Sequence, residues 1–211
     1  MRPLPLFFDV DGVLIDSMHV KGEAFAQLFN VKYRSSILAL HHAHGGMHRR
    51  EKIRMIFEQV LCRNPQRGEI DELVHKYSEV VLDKVLACPE VPGAREALSV
   101  LSRTSPLHAI SATPKVELQE ILRQRDLLHF FQSVHGHPST KVSVIGQLIE
   151  RHNYVPESCF LIGDSLSDFA AARTWDVPFI FVHHSGGEAP EGSVASVPNL
   201  VGLVNIIEEL S

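Results

Sequence analysis

The stretch Leu4-Pro5-Leu6-Phe7-Phe8-Asp9-Val10-Asp11-Gly12 is an apolar run that stops abruptly at two carboxylates and a glycine. Leu4 to Val10 reads as a buried strand, because it is short, rich in Phe and bounded by turn formers. A period of two points Asp9 and Asp11 into one pocket if the strand runs straight, and Gly12 lets the chain turn sharply after them. Three later segments repeat the pattern of an apolar run followed by polar or Gly residues: Leu107 to Ser111, Ser158 to Asp164 and Pro178 to Val182. Helical periodicity fills the intervals, at Ala94 to Arg103, Pro114 to Arg125, Thr140 to His152 and Leu166 to Thr174. Strands alternating with helices predict an α/β fold, a Rossmann-like parallel sheet with helices on both faces and ligands at the carboxyl ends of the strands.

Residues 16–90 break this alternation. Segments around Val20 to Phe29, Arg49 to Leu61 and Ile70 to Leu86 gather apolar residues on one helical face, for example Ile53, Ile56, Phe57 and Val60. They predict a small all-helical cap domain, 16–90, inserted after the first strand of a core made of 1–15 and 91–211. Pro89-Glu90-Val91-Pro92-Gly93 is the expected hinge by which the chain returns.

The bulk properties narrow the function. The chain has 211 residues, 45% of them apolar and 21% charged, which suits an ordinary globular protein. A formal net charge of -5 supplies no field for holding nucleic acid. Pro3 and Pro5 interrupt the apolar N-terminal stretch and Asp9 and Asp11 follow it, a pattern unlike a signal peptide. No apolar run approaches the roughly 18 residues of a membrane span. Cys62, Cys88 and Cys159 are odd in number and far apart, which argues against a disulfide framework or a zinc knuckle and for a reducing cytoplasm. Oligomeric state is not readable.

Paired carboxylates at a strand end suit phosphoryl chemistry. One can accept a phosphoryl group while a second protonates the departing alkoxide and later deprotonates water. Such a cluster repels a phosphate dianion unless a hard cation with oxygen ligands, such as Mg2+, neutralises it. Asp164, at another strand end, can supply a further ligand, and Asp168, one helical turn on, can orient the waters of the metal. Ser111 offers a hydroxyl and turn N–H groups to phosphate oxygens. Lys141, after a plausible helix cap at Ser139-Thr140, offers a compact positive charge.

With those residues in place, the sequence resembles the haloacid dehalogenase-like hydrolase superfamily, especially its phosphoglycolate-phosphatase-like and beta-phosphoglucomutase-like members with an alpha-helical cap. Asp9-Val10-Asp11-Gly12-Val13-Leu14-Ile15-Asp16-Ser17 is similar to the family's first motif, Ile110-Ser111-Ala112-Thr113 to the second, Lys141 to the third and Gly163-Asp164-Ser165-Leu166-Ser167-Asp168 to the fourth. The resemblance implies that Asp9 is the nucleophile and a magnesium ligand, Asp11 the general acid and base with its carbonyl on the metal, and Asp164 another ligand. It implies that Ser111, Ala112 and Lys141 hold the phosphoryl group while the cap closes over a small phosphorylated metabolite. The expected activity is that of a phosphatase. A phosphosugar mutase is the alternative, and a non-catalytic phospho-receiver module, which carries no helical cap, stands behind both. Asp11 argues against dehalogenation, because the family's dehalogenases lack that second aspartate. Trp175-Asp176 departs from the Ala-Gly often found after the fourth motif. Asp tolerates a left-handed helix end, so an altered helix exit is expected there.

His41-His42-Ala43-His44-Gly45-Gly46-Met47-His48-Arg49-Arg50 is the unusual part of the insertion. Its histidines suggest a metal site, but Gly45-Gly46 breaks the helix that would align them. A substrate loop in which Arg49 or Arg50 grips an anionic or sugar group stands beside a merely solvated loop. His135-Gly136-His137-Pro138 reads as an exposed loop before Lys141, and Trp175 as a packing residue.

Overall fold

The computed structural model describes residues 4–183 and 188–211. Met1, Arg2 and Pro3, which begin the N-terminal stretch and the expected core segment, lie outside the described residues. Six parallel strands form one sheet in the order β3-β2-β1-β4-β5-β6: β1 (Leu6–Phe8), β2 (Leu107–Pro114), β3 (Ser133–His137), β4 (Phe160–Gly163), β5 (Phe179–Val182) and β6 (Ala195–Val197). Leu6 and Phe8 enter one apolar core and Phe7 the other. Burial on both faces is why the run is continuously apolar. Each fully buried Phe contributes about 1.5–3 kcal/mol by area.

The chain steps from β1 outward through β2 to β3, then crosses back to place β4 on the other side of β1. Strand order reverses there, which opens a crevice outside the carboxyl ends of β1 and β4. Asp9 and Asp164 are the first residues beyond those two ends.

Between β1 and the core helix α5 (Ala94–Leu101) lie α1 (Met18–Gln27), α2 (Arg34–Ala43), α3 (Arg49–Met55) and α4 (Glu69–Leu86). The chain leaves and returns side by side. Asp16 N–H donates to the Pro89 carbonyl at 3.0 Å, Val91 N–H to that of Leu14 at 3.0 Å, and Ile15 bridges Glu90 antiparallel. The core helices continue with α6 (Lys115–Gln124), α7 (Lys141–His152), α8 (Leu166–Thr174) and α9 (Leu203–Leu210). Among the described residues no helix is long and apolar enough to cross a membrane. All three cysteines are free.

The structure corrects the sequence expectations at four elements. β3 contains His135, Gly136 and His137, which therefore belong to a strand and not to an exposed loop. Its sequence shows one buried apolar residue, Val134, too little for a periodic signal. α2 carries His41 and His42 out of the expected loop; it buries His41 beside Ile37 and Leu40, so a histidine occupies a core-facing position. β6 and α9 add to the C-terminal third, which the four expected strands left open. At the helix exit Asp176 adopts φ +52°, the left-handed conformation expected of it, and the Trp175 indole N–H donates to the Val142 carbonyl at 2.7 Å.

Candidate active site

The core side of the crevice is built from strand ends. Asp9 is buried; its backbone N–H ties β1 to the Ile162 carbonyl of β4 at 2.9 Å, and Val10 N–H donates to Asp9 Oδ1 at 2.8 Å. Lys141 is the first residue of α7, whose N-cap Thr140 forms a capping box with Ser143. The cap aims the Lys141 ammonium between Asp9 Oδ2, 2.8 Å away, and Asp168 Oδ1, 2.5 Å away. Ser165, the N-cap of α8, donates to Asp168 Oδ2 at 2.5 Å. Asp9, Asp164 and Asp168 bring carboxylate oxygens within 4.8 Å of one another. Gly12, at φ +81°, makes this possible: a Cβ there would lie 2.1 Å from Asp164 Oδ2.

Burial, reinforced by Asp168 and Asp11 and opposed by Lys141, pushes the Asp9 carboxyl up to about 7. Burial and then the neighbouring Asp9 and Asp168 raise Asp164 well above the usual carboxylate range. Burial alone would lower Lys141, but Asp168 and Asp9 hold its ammonium above the ordinary lysine value. Repelling carboxylates packed around one ammonium are a donor set that a hard divalent cation fits.

Asp11 does not join that cluster with its side chain. It turns to a hydroxyl and ammonium cradle: Ser17 Oγ donates to Oδ1 at 2.7 Å, while Thr113 Oγ1 at 3.1 Å, Ser111 Oγ at 3.2 Å and Lys21 Nζ at 2.5 Å approach Oδ2. Burial would raise Asp11, but Lys21 and these hydrogen bonds overcome it and hold the carboxyl at about 2. Lys21 also donates to Thr113 Oγ1 at 2.9 Å. Ser111, Ala112 and Thr113 sit where the β2–β3 register shifts, between Ile110 and Pro114, and both Ser111 and Thr113 reach Asp11.

The opposite wall comes from α1–α4. An inner cavity of about 50 Å³ lies between Asp9 and Asp11 on one side and Lys21, Arg49, Lys52 and Tyr77 on the other. Gly46, Met47, Ser111 and Ala112 separate it from an outer cavity of about 630 Å³ that reaches Lys141. Arg49, buried, makes a forked pair with Glu117 of α6 at 2.6 and 2.9 Å and donates to Ser78 Oγ at 2.6 Å. Arg50 points elsewhere, pairing with Asp71 and lining neither cavity. Gly46 at φ +71° presses on the start of α8, where a Cβ would meet Ser167 Oγ at 2.1 Å. His48 stacks on His137 with ring centres 3.4 Å apart; burial, then His137, Arg49 and Arg50, pull it down to about 4.

Lys52 Nζ lies 3.1 Å from His41 Nδ1 and His41 Nε2 3.1 Å from the Met18 carbonyl. Lysine only donates and a carbonyl only accepts, so Nδ1 accepts and Nε2 carries the proton. Burial, then Lys52, pulls His41 down to about 3; burial, then Lys21, pulls Lys52 down to about 7. The histidines of 41–48 form no group with metal-ligand geometry among the described residues.

The expected residues Asp9, Asp11, Ser111, Ala112, Lys141, Asp164 and Asp168 thus meet at one crevice, joined by Arg49 but not by Arg50. Sequence reasoning missed Lys21, Thr113, Ser165 and Lys52. Two of these carried a signal: Lys21 is one helical turn beyond Ser17, and Thr113 is two residues along a strand from Ser111.

The family model for haloacid dehalogenase-like hydrolases matches residues 6–182. A relative from Thermotoga maritima named phosphorylated carbohydrates phosphatase is 28% identical, over 97% of this chain and 98% of its own length. Among solved structures, Bacillus subtilis YfnB bound to magnesium has a TM-score of 0.74 at 19% identity, covering 99% of this chain and all of the other. A CbbY mutant from Rhodobacter sphaeroides in complex with xylulose-(1,5)bisphosphate has a TM-score of 0.77 at 16% identity, covering 95% and 96%. The two structural likenesses speak for the fold alone. With four motifs meeting at one crevice and a family match from β1 through β5, the chain belongs to the haloacid dehalogenase-like hydrolase family.

Proposed function

We propose that the chain is a Mg2+-dependent phosphatase of a small phosphorylated metabolite, with phosphorylated carbohydrates the first class to test, and that the phosphoryl group passes through Asp9. The observation that supports this reading best is the position of Asp9: buried at the switch point of the sheet, with the Lys141 ammonium on one oxygen and Asp11 in a separate cradle. Asp9 and Asp164, with the carbonyl of Asp11, would hold Mg2+, and Asp168, whose oxygens engage Lys141 and Ser165, would orient its waters; once bound, the ion offsets the repulsion between these carboxylates and a phosphate dianion.

The attacking Asp9 oxygen forms a bond to phosphorus as the ester P–O bond breaks, and Asp11 delivers its proton to the departing oxygen. Water then attacks the aspartyl-phosphate, Asp11 takes the water's proton, and inorganic phosphate leaves. Lys141, Ser111 and the backbone at Ala112 hold the phosphoryl oxygens, and Asp168 and Ser165 fix Lys141. Lys21 keeps Asp11 ionised, the form that accepts a proton from water. A substrate phosphate that competes for Lys21 returns proton affinity to Asp11, as its acid role requires. Residues 16–90 serve as the cap, and the Arg49–Glu117 pair and the His48–His137 stack hold it against the core.

The test is phosphate release from a panel of sugar phosphates and other phosphoesters, with and without Mg2+. Release that needs Mg2+ and disappears in Asp9→Asn supports the reading; undiminished release by Asp9→Asn overturns it. Isomerised hexose phosphate without free phosphate would make the chain a mutase.

A further inference from the structure

The inner cavity holds three cations on its helical wall, and two have carboxylate partners: Lys21 with Asp11 and Arg49 with Glu117. Lys52 has none within ion-pair distance among the described residues. It is 2% exposed, and its hydrogen-bond partner is the neutral ring of His41, itself anchored on Met18. An ammonium removed from water costs several kcal/mol unless it is paired, so a buried lysine facing a cavity without a counter-ion is a site prepared for an incoming negative group. Of the two arginines the sequence offers as anion binders, Glu117 neutralises Arg49 and Asp71 pairs with Arg50 away from the cavity, so Lys52 is the cavity cation without a carboxylate partner among the described residues.

Resting on the phosphatase reading, we infer that Lys52 selects substrates whose alcohol part carries a second anionic group close to the ester oxygen. The space sets the distance. A cavity of about 50 Å³ between Asp9 and Lys52 holds a few water-sized groups, enough for a carboxylate or the near edge of a second phosphate but not for a sugar ring. Phe25 and Tyr77 stack at 4.1 Å beside it, and Lys52 Nζ lies 5.5 Å from the Phe25 ring, so one side of the ammonium faces an aromatic ring. A larger leaving group would extend past Met47 into the outer cavity, with its anionic group remaining at Lys52.

The experiment compares matched esters on the whole chain with Mg2+: phosphoglycolate against 2-hydroxyethyl phosphate for a carboxylate, and ethane-1,2-diyl bisphosphate against 2-hydroxyethyl phosphate for a second phosphate. Wild type is expected to favour the anionic member of at least one pair by 10-fold or more in kcat/KM, and the favoured pair identifies the group. In Lys52→Met, of similar volume, that preference is expected to shrink at least 10-fold, mainly through KM, and Lys52→Arg is expected to recover part of it. Equal kcat/KM within both pairs in wild type, while phosphate is still released, overturns the inference and leaves the phosphatase reading standing. A preference unchanged in Lys52→Met also overturns it. No phosphate release from any ester, p-nitrophenyl phosphate included, overturns the phosphatase reading and the inference with it.

Discussion

The two walls of the crevice differ in charge, origin and legibility. The core wall is three carboxylates around one ammonium, each placed by a strand end or by the first turn of a helix that follows one. The helical wall is three cations, two bound to carboxylates across the gap, carried by α1 and α3. Sheet register fixes the first wall at the level of backbone, so its chemistry depends on a few residue types at set places. The second wall depends on long side chains meeting across the fold, which suits the selection of different leaving groups on one reaction centre. Substitutions on the core wall are accordingly expected to lower kcat, and those of Arg49 and Lys52 on the helical wall to alter KM or stability.

The sharpest test of the core wall short of its carboxylates is Gly12→Ala. The new Cβ at φ +81° would fall 2.1 Å from Asp164 Oδ2, so Asp164 must move. A displacement on the order of 1 Å costs roughly 100-fold in rate, and steady-state kinetics should show that loss in kcat. Normal kcat would mean that Asp164 has no role in holding the site. Glu117→Gln probes the link between walls by leaving the Arg49 guanidinium buried and half-paired. Stability to urea is expected to fall by about 3 kcal/mol, the lower end for a broken buried pair because Gln keeps one acceptor, with a larger fraction of the chain cleaved between 16 and 90 in limited proteolysis. An unchanged midpoint would show that the pair does not hold the helices on the core.

The smallest effect lies outside both walls. His108, fully buried in β2 between Ser133 Oγ at 2.7 Å and Tyr154 OH at 3.1 Å, is pulled down to about 4 by burial, then by His152 and His135. The unfolded chain takes up a proton near pH 6.5 and the folded one does not until about 4, so stability falls as pH drops through that window. His108 alone should remove about 2 kcal/mol between pH 7 and 5. Urea midpoints at the two pH values measure it, and replacing His108 with Gln should remove that part of the slope and leave the part that His41 and His48 contribute.

What could be read from sequence follows the same division. The strand ending in Asp9 was legible because apolar burial on both faces leaves a run that no loop would carry, and Asp164 and Asp168 because they open a helix after a second such run. Asp11 was legible as a site residue but not as the centre of a separate cradle, since that depends on Ser111 and Thr113 of β2 and Lys21 of α1 converging on it across the fold. The Arg49–Glu117 pair spans 68 residues of sequence, and Lys52 on an amphipathic helix resembles any solvated lysine. Nothing local marks either residue as buried. β3 stayed hidden for a related reason: of its two buried positions only Val134 carries an apolar side chain, and Gly136 at the other gives the strand no period.

The central claim is that Asp9 carries the phosphoryl group. Rapid acid quenching with a labelled phosphoester, followed by peptide mapping, tests it on the atom itself. Label is expected on the peptide holding Asp9 in wild type. It should be absent in Asp9→Asn and should persist longer in Asp11→Asn, where the base for hydrolysis is gone and kcat falls roughly 100- to 10,000-fold. Phosphate release at full rate in an Asp9→Asn chain, with no label on that peptide in wild type, would contradict the account.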